Sequence, residues 1–81
     1  MIDLALRAIA EPRRRDILRL VLDKAISADE IAAHFDVTRP AISQHLRVLE
    51  EAGLVAARRE GTRRMYGWRP EGFKELRRFL D

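Results

Sequence analysis

The chain has 81 residues, 47% hydrophobic and 36% charged, enough for one modest core and too few for two domains. Sixteen Lys and Arg against thirteen Asp and Glu leave a net charge of only +3, which by itself singles out no nucleic-acid partner. The absence of cysteine excludes disulfides and thiolate metal sites.

The start, Met1-Ile2-Asp3-Leu4-Ala5-Leu6-Arg7, lacks the basic and apolar regions of a signal peptide, and no apolar run reaches membrane-span length. A cytoplasmic location with no membrane partner is expected. Apart from Lys24 and Lys74, every basic residue is arginine. Its planar fork suits phosphate and guanine, although GC-rich coding or thermal adaptation also enriches it.

Ile2, Leu6 and Ile9, at spacings of four and three, predict a short helix over 2–10. Glu11-Pro12 interrupts it, and Pro12 opens a second helix to about Asp23. There Ile17, Leu18, Leu20, Val21 and Leu22 leave little polar surface, so this helix is expected to be the central one. Arg13, Arg14 and Arg15 crowd its positive end. We read them as a solvated face with local ion pairs rather than as a phosphate clamp.

Ser27-Ala28-Asp29-Glu30 is a capping box that starts a third helix through about Phe35, burying Ile31, Ala32 and Phe35. Asp36-Val37-Thr38 is short enough to be only a turn. The fourth helix spans 38–52, with Thr38 as N-cap, Pro40 in the first turn and Gly53 as the left-handed stop. Ile42, Leu46 and Leu49 make its apolar stripe, while Arg39, Ser43, Gln44 and Arg47 lie opposite and can donate to phosphates or base edges. Two helices joined by about three residues, the second with a polar face, make a helix-turn-helix.

After Gly53 the period becomes alternating. Residues 54–60 and 64–69 read as two strands around Gly61-Thr62, with Arg58, Arg59, Arg63 and Arg64 at the tip and Tyr66 and Trp68 packing inward. Pro70-Glu71 opens a last helix over 70–80, with Phe73, Leu76 and Leu80 on one stripe and Phe79 beside it. The expected fold is mainly α with a small β-hairpin (α+β), a winged helix-turn-helix ordered four helices, two strands, one helix. It forms a single domain over 1–81, with the helix-turn-helix at 27–53 and the wing at 54–69.

The segments Glu11-Pro12-Arg13-Arg14-Arg15-Asp16-Ile17-Leu18, Ser43-Gln44-His45-Leu46-Arg47-Val48-Leu49, Ala52-Gly53-Leu54-Val55 and Arg59-Glu60-Gly61 with Tyr66 resemble the ArsR/SmtB winged-helix regulators. The likeness covers essentially the whole chain, and the part from Ser43 to Val55 is the most specific. It implies a homodimeric repressor on an inverted-repeat operator, released by an effector, often a metal ion. It also implies that the terminal helices, 2–10 and 70–80, build the dimer interface, here through Ile2, Leu6, Ile9, Phe73, Leu76, Phe79 and Leu80. Metal-sensing members carry cysteines near the third helix, or acidic and histidine ligands on the last. This chain has no cysteine, and Glu71, Glu75 and Asp81 have no histidine beside them. No metal or cofactor is therefore expected, and the effector is left unnamed.

The DNA-facing set is Thr38, Arg39, Ser43, Gln44, His45 and Arg47 on the helix, with Arg59, Arg63 and Arg64 on the wing. Gln44 suits adenine and Arg47 guanine; Arg39 and Ser43 suit phosphate. His45 is assigned a phosphate rather than a hydrogen bond inside the turn. Arg63 and Arg64 are placed at the minor groove or its flanking phosphates, against a plain solubilising role. His34 has no partner at a ligand spacing and is read as a surface histidine. The alternative function is a winged-helix protein-interaction module, which would show apolar residues where this chain shows Arg, Gln and Ser. An enzyme is not expected: Ser43 and His45 point different ways on a helix, and no orienting third group, phosphate loop or zinc signature is present.

Overall fold

The computed structural model describes residues 2–81; Met1, the first residue of the expected 1–81 domain, lies outside them. The elements run α1 (Ile2–Ile9), α2 (Pro12–Asp23), β1 (Ile26–Ser27), α3 (Ala28–Ala33), α4 (Arg39–Glu51), β2 (Val55–Glu60), β3 (Arg63–Trp68) and α5 (Pro70–Leu80). The expected winged helix-turn-helix order is present, with one strand more than the sequence indicated. None of the described helices is long and apolar enough to cross a membrane.

The additional strand, β1, is two residues long and pairs antiparallel with β3, Ile26 opposite Tyr66 and Ser27 opposite Met65. Two residues cannot display an alternation, so no periodicity announces it. The sheet order is β1-β3-β2, and the β2–β3 hairpin turns on Gly61-Thr62 between Glu60 and Arg63. Gly61 takes the positive φ (+65°) that a two-residue turn of this kind requires. The wing is therefore stitched to the body on its β3 side.

Ile17, Val21, Ile31, Ile42, Leu46, Leu49, Leu54 and Val55 are fully buried and form the centre of the core. Each side chain of this size contributes about 1.5–3 kcal/mol on burial. The α4 stripe Ile42, Leu46, Leu49 sits on this centre as its spacing dictates. α2 is amphipathic rather than apolar all round: Ile17, Leu18 and Val21 are buried, but Leu22 in its last turn is exposed. α3 ends at Ala33, two residues before the expected Phe35, and Ala32 and Phe35 are only partly buried.

Trp68 corrects the inward pair expected of β3. Tyr66 is buried, whereas Trp68 is 43% exposed and its ring leans on Phe73 with centroids 5.7 Å apart. Trp68 is the last residue of the strand. Met65, on the other face, is buried as well.

Gly53 (φ +76°) ends α4 in a Schellman closure. The Gly53 N–H donates to the Glu50 carbonyl and the Leu54 N–H to the Leu49 carbonyl, both at 3.0 Å. Leu54, fully buried, packs under that turn. The Arg69 N–H then donates to the Leu54 carbonyl at 2.8 Å, joining the end of α4 to the start of α5.

Candidate nucleic-acid interface

α4 presents one face to solvent because the other is fixed in the core. Thr38 Oγ1 accepts from the Ala41 N–H at 3.3 Å and starts the helix. Arg39, Ser43, Gln44 and Arg47 then follow along the exposed side. Among the described residues, Gln44 and Arg47 make no side-chain hydrogen bond or ion pair, so their donors are available to a ligand. Arg39 is held: its Nε donates to Asp29 at 2.9 Å and its Nη1 to Ser43 Oγ. The polar row is thus pre-set at its N-terminal end and open in its middle.

The wing arginines divide in the same way. Arg59 projects from β2 without a partner among the described residues. Arg63 Nη2 donates to Glu30 at 2.7 Å and to Ser27 Oγ at 3.1 Å, reaching back from the wing to the capping box of α3. Arg64 Nη2 lies 3.4 Å from Glu50 in the last turn of α4, and its guanidinium stands over the Tyr66 ring. Both pairs are exposed. Such pairs are worth only about 0–1 kcal/mol, so phosphates can displace the carboxylates at small cost.

Glu30 belongs to two local circuits. Its carboxylate accepts from the Ser27 N–H and hydroxyl, both at 3.1 Å, and from Arg63. Its pKa is lowered, first by the Ser27 backbone N–H, then by the Ser27 hydroxyl and the charge of Arg63. Ser27 Oγ in turn accepts from the Glu30 N–H, so the capping box expected from sequence is complete.

His45 is placed otherwise than as a groove-facing residue. Its ring is partly covered, with Nδ1 accepting from Arg14 Nη1 at 3.3 Å and lying 3.7 Å from Glu11 Oε2. The partner, Arg14 of α2, lies 31 residues away, so this contact is not the hydrogen bond inside the turn that was weighed against a phosphate. His34 is exposed, with Nδ1 2.9 Å from the Glu30 carbonyl.

The Arg13–Arg15 run is neither of the two things expected of it. Arg14 Nε and Nη2 donate to the Ala8 and Arg7 carbonyls at 2.7 and 3.1 Å, and Arg15 Nη1 donates to the Ile9 carbonyl at 2.6 Å. Both side chains cap the C-terminus of α1, where cations are favoured. Arg13 lies over the Phe35 ring at 4.9 Å. Glu11 caps α2 by accepting from the Arg13 and Arg14 N–H groups at 3.1 and 3.2 Å, and the Arg13 N–H is the largest cause of its lowered pKa. Sequence reasoning missed Arg14 because its partners on α1 and α4 depend on how those helices cross α2; the Glu11 cap is local, two and three residues from its donors, and was missed beside Pro12.

The residues expected at a dimer interface also divide. Leu76 is 7% exposed and packs largely into the protomer's own core. Ile2, Leu6, Ile9 and Phe73 are half-buried against that core. Phe79 (60% exposed) and Leu80 (76%) remain open, and Leu4 on α1 joins them. No group of three or more His, Cys, Asp or Glu that could hold a metal ion is found among the described residues.

A profile described as "Bacterial regulatory protein, arsR family" matches residues 11–57, the stretch from the α2 cap to β2. The chain belongs to the ArsR family. The HTH-type transcriptional regulator Rv2034 of Mycobacterium tuberculosis is 43% identical over 79 residues, 98% of this chain and 74% of that protein. The transcriptional repressor SdpR of Bacillus subtilis is 40% identical over 55 residues, 68% of this chain and 61% of that one. Among solved structures, the homodimeric winged helix-turn-helix DNA-binding domain (fragment 1–100) of Mb0332 from Mycobacterium bovis superimposes with a TM-score of 0.84 at 32% identity. That match covers 98% of this chain and 73% of that one.

Proposed function

We propose that this chain is a sequence-specific, double-stranded DNA-binding transcriptional regulator that acts as a homodimeric repressor on an inverted-repeat operator. The observation that carries the reading is the row Arg39, Ser43, Gln44, Arg47, exposed on a helix whose other face is anchored by three fully buried residues. In the major groove, Gln44 and Arg47 read base edges, while Thr38, Arg39 and Ser43 hold phosphates near the helix start. Arg59, Arg63 and Arg64 bring the wing to flanking phosphates or the minor groove, Arg63 and Arg64 leaving Glu30 and Glu50 to do so. His45 supports α4 from behind rather than touching DNA.

In this reading residues 27–53 are the helix-turn-helix and 54–69 the wing. The terminal helices 2–10 and 70–80 pair two copies through Phe79, Leu80 and Leu4 with Ile2, Leu6, Ile9 and Phe73. Mb0332's homodimeric domain and SdpR's description as a repressor support the dimer and the sign of regulation. Repression requires only occupancy of a promoter in the cytoplasm, so no catalytic residue and no cofactor enter.

The test is selection of bound duplexes from a random DNA pool by the purified protein, followed by sequencing. An inverted repeat with half-sites about one helical turn apart is the expected outcome. A pool that stays random, with binding lost at modest salt, would overturn the reading and leave the interaction-module alternative. Transcription from a promoter carrying the selected repeat, with and without the protein, then distinguishes repression from activation.

A further inference from the structure

We infer that Gly72 is a positioning residue for operator binding: it lets the first turn of α5 lie against the Gly53 carbonyl, and so fixes the DNA-reading helix relative to the dimer helix. The inference rests on the homodimeric DNA-binding reading above. A Cβ at position 72 would stand 2.9 Å from the Gly53 carbonyl carbon and 3.0 Å from Leu54 Cδ2, with the Gly53 oxygen nearer still. Real Cβ contacts are not that short, so a side chain here moves something. The other glycines behave differently. Gly53 and Gly61 face open space, and Gly67 would meet only Ala25 at an ordinary 3.7 Å. Gly72 is needed for closeness, not for a special backbone angle.

What it approaches cannot yield easily. Two of the three atoms are backbone of the Schellman turn, and the third belongs to the fully buried Leu54. The turn is bonded to α4 through the Glu50 and Leu49 carbonyls and to α5 through the Arg69 N–H. The last turn of α4 and the first of α5 therefore move as one body. From there α5 runs to the exposed Phe79 and Leu80. A wedge at 72 rotates α4 against the dimer contact and changes the separation of the two recognition helices, while each protomer keeps an intact reading face.

The test compares Gly72→Ala with Lys74→Ala, an exposed site one half-turn on. Folding and dimerisation are checked first by circular dichroism and sedimentation. Affinity is then measured for the selected inverted repeat and for a duplex holding a single half-site. The expected result is a loss of about tenfold on the repeat with no change on the half-site for Gly72→Ala, and no change on either for Lys74→Ala. Equal affinity of Gly72→Ala and the unaltered protein for the repeat, or an equal loss on both duplexes, would overturn the inference. An unaltered protein that gains nothing from a repeat over a half-site would instead defeat the dimeric reading beneath it. Should Gly72→Ala not fold, native-state amide exchange of the unaltered protein decides. An Arg69 amide that exchanges in step with Leu54 supports the rigid junction, and one that exchanges with the frayed helix ends refutes it.

Discussion

Gln44 and Arg47 are the two residues on the exposed face of α4 whose donors are uncommitted, and that sets their role apart from that of their neighbours. Gln44→Ala and Arg47→Ala should each relax preference at one operator position, costing about 1–3 kcal/mol there, in a binding assay against single-base variants of the site. Under the proposed DNA-binding reading, Arg63→Ala should weaken all sequences alike and flatten the salt dependence, as loss of a phosphate contact does. Arg14 works at the same scale but on stability. Arg14→Ala leaves the Ala8 and Arg7 carbonyls and His45 Nδ1 without their donor, and should cost about 1–3 kcal/mol in chemical denaturation. Lysine should restore only part, since it lacks the fork that serves three acceptors at once. The stripe Ile42, Leu46, Leu49 was legible because helical spacing is local. The partners of Arg14 and Arg63 were not: His45 is 31 residues from Arg14, and Glu30 is 33 from Arg63.

At the scale of elements, helix caps set the response to acid. Glu11 at the start of α2 and Glu30 in the first turn of α3 both have lowered pKa values, in each case first because a backbone N–H donates to the carboxylate. A carboxylate depressed in the folded state contributes stability above its unfolded value, and that contribution is lost as pH falls through the lower folded value. Stability should therefore decline below the ordinary glutamate value of 4.5. Glu11→Gln and Glu30→Gln should lower stability at neutral pH and flatten the acid limb, read as urea midpoints across the acid range. An unchanged acid limb in both variants would remove the caps as its cause. The capping box was visible in sequence because Ser27 and Glu30 are three apart. The two-residue strand β1 was not, because it exists only as a pairing with β3.

At the scale of the molecule, the proposed dimer rests on the apolar surface that the terminal helices leave open. Leu76 serves the protomer's own core, which leaves Phe79, Leu80 and Leu4 as the open apolar surface of the terminal helices. Phe79→Glu should shift the protein toward monomer in sedimentation equilibrium and, with it, lower affinity for the repeat more than for a half-site. Its circular dichroism should be unchanged, since the side chain is 60% exposed in the protomer. A dimer that survives this substitution would place the interface elsewhere.

What the sequence alone determined is everything written in spacing and in short-range chemistry: the five helices, the N-caps at Ser27 and Thr38, the stop at Gly53, the hairpin turn and the polar face of α4. Each of these depends on residues within a few positions of one another, where backbone geometry leaves few options. Only the tertiary structure decided that Trp68 is exposed and Leu76 buried, that His45 turns to Arg14, that Arg63 is held by Glu30, and that α5 starts against the Gly53 carbonyl. Those outcomes follow from how helices cross and where the sheet ends. Neither is fixed by the order of residues along any one element, because many sequences with the same local pattern pack at different angles.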